Sequence, residues 1–394
     1  MTMICKGKIN RLHKHTDEMN IPTPKVEQPV KNIAILQEKP ASVERSLYRF
    51  PDEIKGFTKK QHYEVGNNVI DILVKLKQEN RPPTEEEKAI LVSWQGFAFE
   101  NSYQKDAEEE KIKKRLSTIE NEEYLSAILK KMHSSVIDAP LPKSIVEGTW
   151  KILEKVGANP SRVAGYNVGT GSIFGYMPDS IRQEMKIAAA YNWHYSPNSE
   201  ISRHLFPDIA QFTSREDFPD NYFDTAVAVS FAKSTIMEEA CEWNGDKILD
   251  YLQDVKPGGF LAFITINEFL DADGAKGEII RKKIAREADL VCAYRIPAQD
   301  WWGRNDPLDL IVFRKKTLHE YISDDEMPDW VSSTKIGEGE KIGKAAEDYP
   351  INNYFLNHQE NILAKSLDRK KWGWSPSINI VPYDEPFGQK PSQE

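Results

Sequence analysis

Between residues 139 and 317 the chain alternates short apolar runs with amphipathic stretches. The apolar runs predict strands at Val163–Asn167, Ala188–Tyr195, Ile209–Thr213, Phe223–Ser230, Phe260–Ile266, Leu290–Ile296 and Leu308–Arg314. The stretches between them predict helices at Ser180–Met185, Ser199–Leu205, Ile236–Gln253 and Ala275–Glu287. A further helix over Lys143–Val156 places Ile145, Val146, Trp150, Ile152 and Leu153 inward. Apolar strands alternating with helices imply an α/β fold, a mostly parallel sheet covered on both faces. Lys256-Pro-Gly-Gly259 reads as a turn ahead of a very apolar strand.

The flanks follow other patterns. From Glu64, residues Val65, Val69, Ile70, Ile72, Leu73 and Leu76 form one helical stripe. Asn80-Arg-Pro-Pro-Thr-Glu-Glu-Glu87 is a linker and a helix start, with Thr84 as N-cap and Glu87 three residues on. That helix is expected to run through Trp94; Asp106–Arg115 reads as a solvated helix face and Thr118–Met132 as another amphipathic helix. Residues 46–138 are therefore expected to form a helical domain, and 139–317 the α/β domain. Residues 1–45 are polar and proline-rich, an extended or disordered arm with a basic start at Lys6, Lys8, Arg11, Lys14 and His15. After residue 317 the regularity fades, and 318–394 is expected to be a tail packed on the core, with no clear period around Trp372 and Trp374.

Composition narrows the class. Of 394 residues 40% are hydrophobic and 29% charged, as in ordinary globular proteins. No apolar run is long enough for a membrane span, and the first residues lack the apolar core of a signal peptide. Cys5, Cys241 and Cys292 stand singly, as expected for reduced thiols in a cytoplasmic protein with neither disulfides nor zinc. The net charge of −9 argues against non-specific nucleic-acid binding by the whole surface but leaves room for a local basic groove.

The candidate chemistry begins at Gly169-Thr170-Gly171 and Gly175. A strand, a glycine turn and a helix suit a nucleotide, because glycines let the backbone approach a ligand and a helix start offers free N–H groups. Such a turn is also common as a plain tight connection. The segments around it occur in a recognisable order: Asn68-Val-Ile-Asp-Ile-Leu73, Asn80–Glu87, Gly169–Asp179, His204-Leu-Phe-Pro207, Asp220-Asn-Tyr-Phe-Asp224, Val255–Thr265, Ala288–Pro297 and Ile351–His358. In this order the chain resembles the Rossmann-like, class I S-adenosylmethionine-dependent methyltransferase fold. More narrowly, it is similar to the DNA adenine-N6 methyltransferase modules of large phage and plasmid antirestriction proteins, where the module is fused to a superfamily 2 helicase. The resemblance implies a seven-stranded, mostly parallel sheet with an antiparallel last strand. It also implies a donor site at Gly169, Thr170, Gly171 and Gly175, with S-adenosylmethionine as the cofactor if there is one. The helicase has no counterpart in these residues, so no translocation is expected of them.

Three parts of the implied site depart from the family pattern. An acid near the end of strand 1 is replaced by Gly165 and Tyr166, and the acid that would accept ribose hydroxyls falls on Trp193 or Tyr195. Each lost hydrogen bond to a charged group costs about 1.5–3 kcal/mol. At strand 4 the Asn/Asp-Pro-Pro-aromatic loop, whose oxygens grip an adenine amine while the aromatic stacks on the flipped base, is replaced by Phe223–Ser234. Ser230 could accept one hydrogen bond and Phe231 could stack, so these are the candidate catalytic residues. Asp300-Trp-Trp302 is a further candidate, weighed against a packed loop. His194 and His204 have no convergent ligands, so no metal is expected. The expectation is a degenerate, non-catalytic methyltransferase-like protein without cofactor, phage- or mobile-element-encoded, acting in antirestriction by binding DNA or a protein partner. The alternatives are an active DNA adenine-N6 methyltransferase with an unusual motif, and a structural subunit, either a virion component or the partner of an active homologue.

Overall fold

Strands Arg162–Tyr166 (β1), Ile187–Tyr191 (β2), Ala210–Phe212 (β3), Phe223–Ser230 (β4), Val255–Ile266 (β5), Ala288–Ile296 (β6) and Leu308–Lys315 (β7) make one sheet in the order β3-β2-β1-β4-β5-β7-β6. The computed structural model describes residues 47–51, 57–96, 110–115, 140–191, 197–212, 218–231, 237–296, 307–320, 322–323, 326–335, 350–372 and 375–382. Neighbouring strands run parallel except at β7, which is antiparallel to both β5 and β6. Every residue of β4 is buried, which is why apolar Ala226–Val229 run without alternation between the polar residues at its ends. The proline–glycine stretch before Phe260 leaves the ladder. Phe223 pairs with Val255 and Thr225 with Phe260, so 256–259 bulge out opposite Asp224, with Gly258 at φ 78°.

The period-2 geometry sorts the strands' side chains onto two faces. Val163, Val227, Val229, Ala262, Ile264, Leu310 and Val312 join one cluster. It also takes in Lys59–Glu79 (α1), Glu85–Leu91 (α2), Lys143–Lys155 (α3) and, further on, Pro197–Leu205 (α6). Between α3 and α6 lie two short helices, Ser172–Gly175 (α4) and Asp179–Glu184 (α5). Ala164, Tyr166, Ala226, Ala228, Leu261, Phe263, Ile311 and Phe313 face the other way, onto Met237–Asp254 (α7) and Ala275–Glu287 (α9), with Glu268–Asp271 (α8) between them. The predicted strands and helices of this region all appear, β4 and α9 with the predicted bounds and most others shifted by a few residues, while the predicted ends at Tyr195 and Thr213 lie outside the described residues.

On the first flank, α1 and α2 each begin with a capping box, from Thr58 and Gln61 and from Thr84 and Glu87. Arg81 donates to both oxygens of Glu87 at 2.6 and 2.7 Å, and this pairing holds the Glu87 carboxyl down at about 2. α2 stops at Leu91 instead of running through Trp94, because a turn at Val92–Ser93 lets Trp94 be buried in the same cluster. Residues 110–115 are helical, yet they are more than a solvated face: Ile112 is buried and Arg115 donates to Asn67. Thr118–Met132 and residues 1–45 lie outside the described residues.

After β7 the chain crosses back and is fastened by two buried arginines. Arg281 of α9 donates to the carbonyls of Val331 (2.7 Å), Phe269 (3.0 Å) and Ala272 (2.7 Å). Arg295 of β6 pairs with Asp309, its register partner on β7, at 2.8 and 2.9 Å. It also pairs with Asp271 at 2.8 and 2.9 Å, and its guanidinium lies over Phe355. Asp271 accepts the backbone N–H of Asn352 as well, in the short strand Pro350–Asn352 (β9) that pairs with Ser333–Lys335 (β8) and leads into Asn353–Asn357 (α10). The last described element is a two-stranded ribbon, Ala364–Trp372 (β10) against Ser375–Pro382 (β11), where the sequence pattern showed no period.

Two predictions follow from this packing. Arg295→Met should lower unfolding free energy by about 3–5 kcal/mol in denaturant titration, because it leaves two buried carboxylates without their cation. Asp224 carries the second. It accepts the Arg162 amide at 3.0 and 3.1 Å, and burial pushes its carboxyl up to about 6 from 3.8. Between those values the folded chain binds more protons than the unfolded chain, so this group's contribution falls as pH rises. Asp224→Asn keeps an acceptor and removes the charge. The wild-type urea midpoint, measured relative to this variant, should drop between pH 4 and pH 7.

Candidate active site

The glycine turn lies at the carboxyl ends of the parallel strands, where open α/β sheets place their ligands. Asn167 takes a left-handed conformation (φ 52°), and its amide side chain donates to the Tyr251 hydroxyl at 3.2 Å. Gly169 (φ 59°) and Gly171 (φ 96°) complete the turn. The Gly171 carbonyl then accepts the N–H groups of Phe174 and Gly175 and opens α4.

Two of the glycines are explained by packing. A Cβ on Gly171 would stand 2.2 Å from the Phe206 ring, and one on Gly175 would stand 2.3 Å from the Phe50 ring. Phe206 stacks on Phe50 at 6.0 Å between centroids and tilts against Phe174 at 5.9 Å. The segment carrying Phe50 is tied down by its backbone: Tyr48 N–H donates to Leu205 and Phe50 N–H to Gly175. Arg182 clamps the carbonyls of Leu47 (2.8 Å) and Phe174 (3.0 Å). Near Gly169 the structure is looser. The nearest atom to a Cβ there would be Asn198 Nδ2 at 4.0 Å. Thr170 Oγ1 and Asn198 Oδ1 are buried beside it with no hydrogen-bond partner. Among the described residues, these two unpaired atoms at this corner are neutral.

The strand ends hold the other sequence-derived positions. Tyr166 turns toward α7: its ring stacks on Tyr251 at 4.0 Å and its hydroxyl donates to Asp254 at 2.8 Å. Ser230 also faces α7, and its hydroxyl donates to Asn244 Oδ1 at 2.6 Å. Phe231 is half-buried and packs on the opposite face of the sheet. The structure therefore separates the two candidates, Ser230 and Phe231, by the sheet itself. Trp193, His194, Tyr195, Asp300, Trp301 and Trp302 lie outside the described residues. His204 is part of α6, and burial pushes its imidazole pKa down. Among the described residues no three His, Cys, Asp or Glu side chains converge on a metal position. Burial pushes the Cys241 and Cys292 thiols up to about 11, far from the thiolate a nucleophile needs.

Of the positions that bear on S-adenosylmethionine, those after β2, Trp193 and Tyr195, lie outside the described residues. Gly165 and Tyr166 stand where a carboxylate would, and the Tyr166 hydroxyl is bonded away from the turn. A ring occupies the space that Gly171 leaves. Sequence reasoning missed Phe206, Phe50, Tyr251, Asn244 and Asp254. Only Phe206 carried a signal, as part of His204-Leu-Phe-Pro207, and nothing local showed that it fills a glycine's space.

The strand order, the antiparallel β7 and the glycine turn after β1 define a Rossmann-like, methyltransferase-type fold. No protein-family model matches the chain. It is similar to Defense against restriction protein B of Escherichia phage P1, 24% identical over 195 residues; the match covers 46% of this chain and 8% of that protein. Among solved structures, it is similar to the type I restriction-modification methyltransferase subunit of Streptococcus thermophilus. That comparison gives 14% identity and a TM-score of 0.37, covering 52% of this chain and 53% of that one. For the type I restriction enzyme EcoKI M protein the identity is 13% and the TM-score 0.36, over 66% and 63% of the two chains.

Gly171→Ala should cost about 2–5 kcal/mol in chemical denaturation, from left-handed backbone strain plus overpacking against Phe206. In a double-mutant cycle with Phe206→Ala the two changes should couple, the second relieving part of the first.

Proposed function

We propose that this chain is a non-catalytic relative of the DNA methyltransferases that acts by binding DNA or a protein partner, in the antirestriction function of a phage or other mobile element. The observation that carries the reading is the direction of the polar groups at the strand ends. A methyltransferase needs groups there that face donor and target. In this chain the Tyr166 hydroxyl is committed to Asp254 and the Ser230 hydroxyl to Asn244, both on α7 behind the sheet. Phe206 against Gly171 adds a second support, since that glycine's open space is filled by a packed ring. The similarity to a phage protein whose name is defense against restriction supports the biological setting. In this reading residues 139–317 are the scaffold, 46–138 a helical domain and 318–394 a tail.

Isothermal titration with S-adenosylmethionine should give no saturable heat, and labelled methyl groups should not move to mixed-sequence duplex DNA. Ser230→Ala should lower the melting temperature, since it leaves the buried Asn244 amide without its partner, and should leave that zero transfer unchanged. Saturable donor binding together with transfer that Ser230→Ala or Phe231→Ala abolishes would overturn the proposal in favour of an enzyme with an unusual motif.

A further inference from the structure

The ribbon β10–β11 leaves the fold at a defined place. Ile362 bridges Arg295 in parallel register, and the Leu363 amide donates to the Arg295 carbonyl at 2.8 Å. The chain therefore runs alongside the last residues of β6, in the same direction, and enters β10 at Ala364. β6 is antiparallel to β7 and β7 to β5, so β6 points the same way as β1, β4 and β5. The ribbon thus starts from the sheet edge that carries the glycine turn and Ser230.

Its composition is opposite to that of the whole chain. The chain's net charge is −9, yet β10 holds Lys365, Arg369, Lys370 and Lys371 against the single acid Asp368. The register assigns these residues to faces. Leu367, Arg369 and Lys371 pair with Ile380, Ile378 and Pro376, a face mixing apolar and basic positions. Asp368, Lys370 and Trp372 pair with Asn379, Ser377 and Ser375, a face made of hydrogen-bonding residue types ending in a tryptophan at the tip. Lysine, serine and asparagine are the types that contact phosphate and base edges, and a two-stranded ribbon is narrow enough to enter the major groove of B-DNA. Strands of this length reach about 25–30 Å at roughly 3.3 Å per residue, several base pairs of duplex.

We propose that the β10–β11 ribbon is a duplex-DNA contact arm, using Lys365, Arg369, Lys370 and Lys371 on the phosphates and placing the DNA across the carboxyl edge of the sheet. The inference rests on the reading of DNA as partner and is independent of whether catalysis was lost.

Fluorescence anisotropy of the full chain on a short mixed-sequence duplex, across a salt series, tests it. The variant with Lys365→Gln, Arg369→Gln, Lys370→Gln and Lys371→Gln should bind more weakly. Its plot of log affinity against log salt should be shallower by about 3–4, since each lost phosphate contact removes roughly 0.9 of slope. Lys370→Gln and Lys371→Gln made singly should each remove roughly 0.9, which covers the case in which the fourfold variant folds poorly. Replacing Lys365, Lys370 and Lys371 by arginine should keep the wild-type slope. Wild-type protein that binds no duplex at any salt would overturn both this assignment and DNA as the partner. Duplex binding with an unchanged slope in the fourfold and single variants would overturn the ribbon alone and turn it toward a protein surface.

Discussion

The carboxyl edge of the sheet depends on one contact, the ring of Phe206 against Gly171. A left-handed turn with no Cβ lets that ring come within van der Waals reach of the backbone. From there the contacts spread outward. Phe206 supports Phe50, Phe50 fills the space at Gly175, and two backbone hydrogen bonds fasten the segment around Phe50 to Leu205 and Gly175. At Gly171 and Gly175 the space a Cβ would take is filled by the protein's own aromatic rings. Buried aromatic area of this kind stabilises the fold.

The buried polar groups follow the same logic. Perturbed ionisation often marks a functional site, but structural ion pairs perturb it as well. Every strongly buried charge described here has a fastening task. Arg295 joins β6, β7 and the α8 loop, and Arg281 draws Val331 and the α8 carbonyls onto α9. Asp224 receives the first amide of β1. Arg295, Arg281 and Asp224 sit away from the glycine turn, whereas buried Asp254 holds the Tyr166 hydroxyl at the end of β1. Among the described residues the unpaired buried side-chain atoms at the turn, on Thr170 and Asn198, are neutral.

Much of this architecture was legible in the sequence. The bounds of β4 and α9 match the sequence reading to the residue, since a short apolar run and a 3.6-period stripe are local signals. The Thr84 capping box was legible for the same reason. The contacts that decide function were not. Phe206 meets Gly171 across three helices and a strand, Tyr166 meets Asp254 across 88 positions, and Arg295 meets Asp271 across 24. No periodicity encodes such pairings. The ribbon was illegible for another reason: its basic, polar and apolar residues fall on both faces, so the period-2 contrast that announces a half-buried strand never develops.

That two-sided mixture separates the ribbon from the rest of the fold. β6 is the edge strand of the sheet, and an uncovered edge invites pairing with other chains. Ile362 and Leu363 cover its end, so the tail has a protective task there. Protection needs only those two residues, however. The chain goes on to build two further strands, and four of the nine residues in the first are basic in a chain that is acidic overall. Concentrated positive charge on an otherwise negative molecule raises the local potential where the ribbon stands and biases approach by a polyanion toward that edge. Edge cover therefore explains where the ribbon begins, and its charge points to a surface that meets something outside the chain.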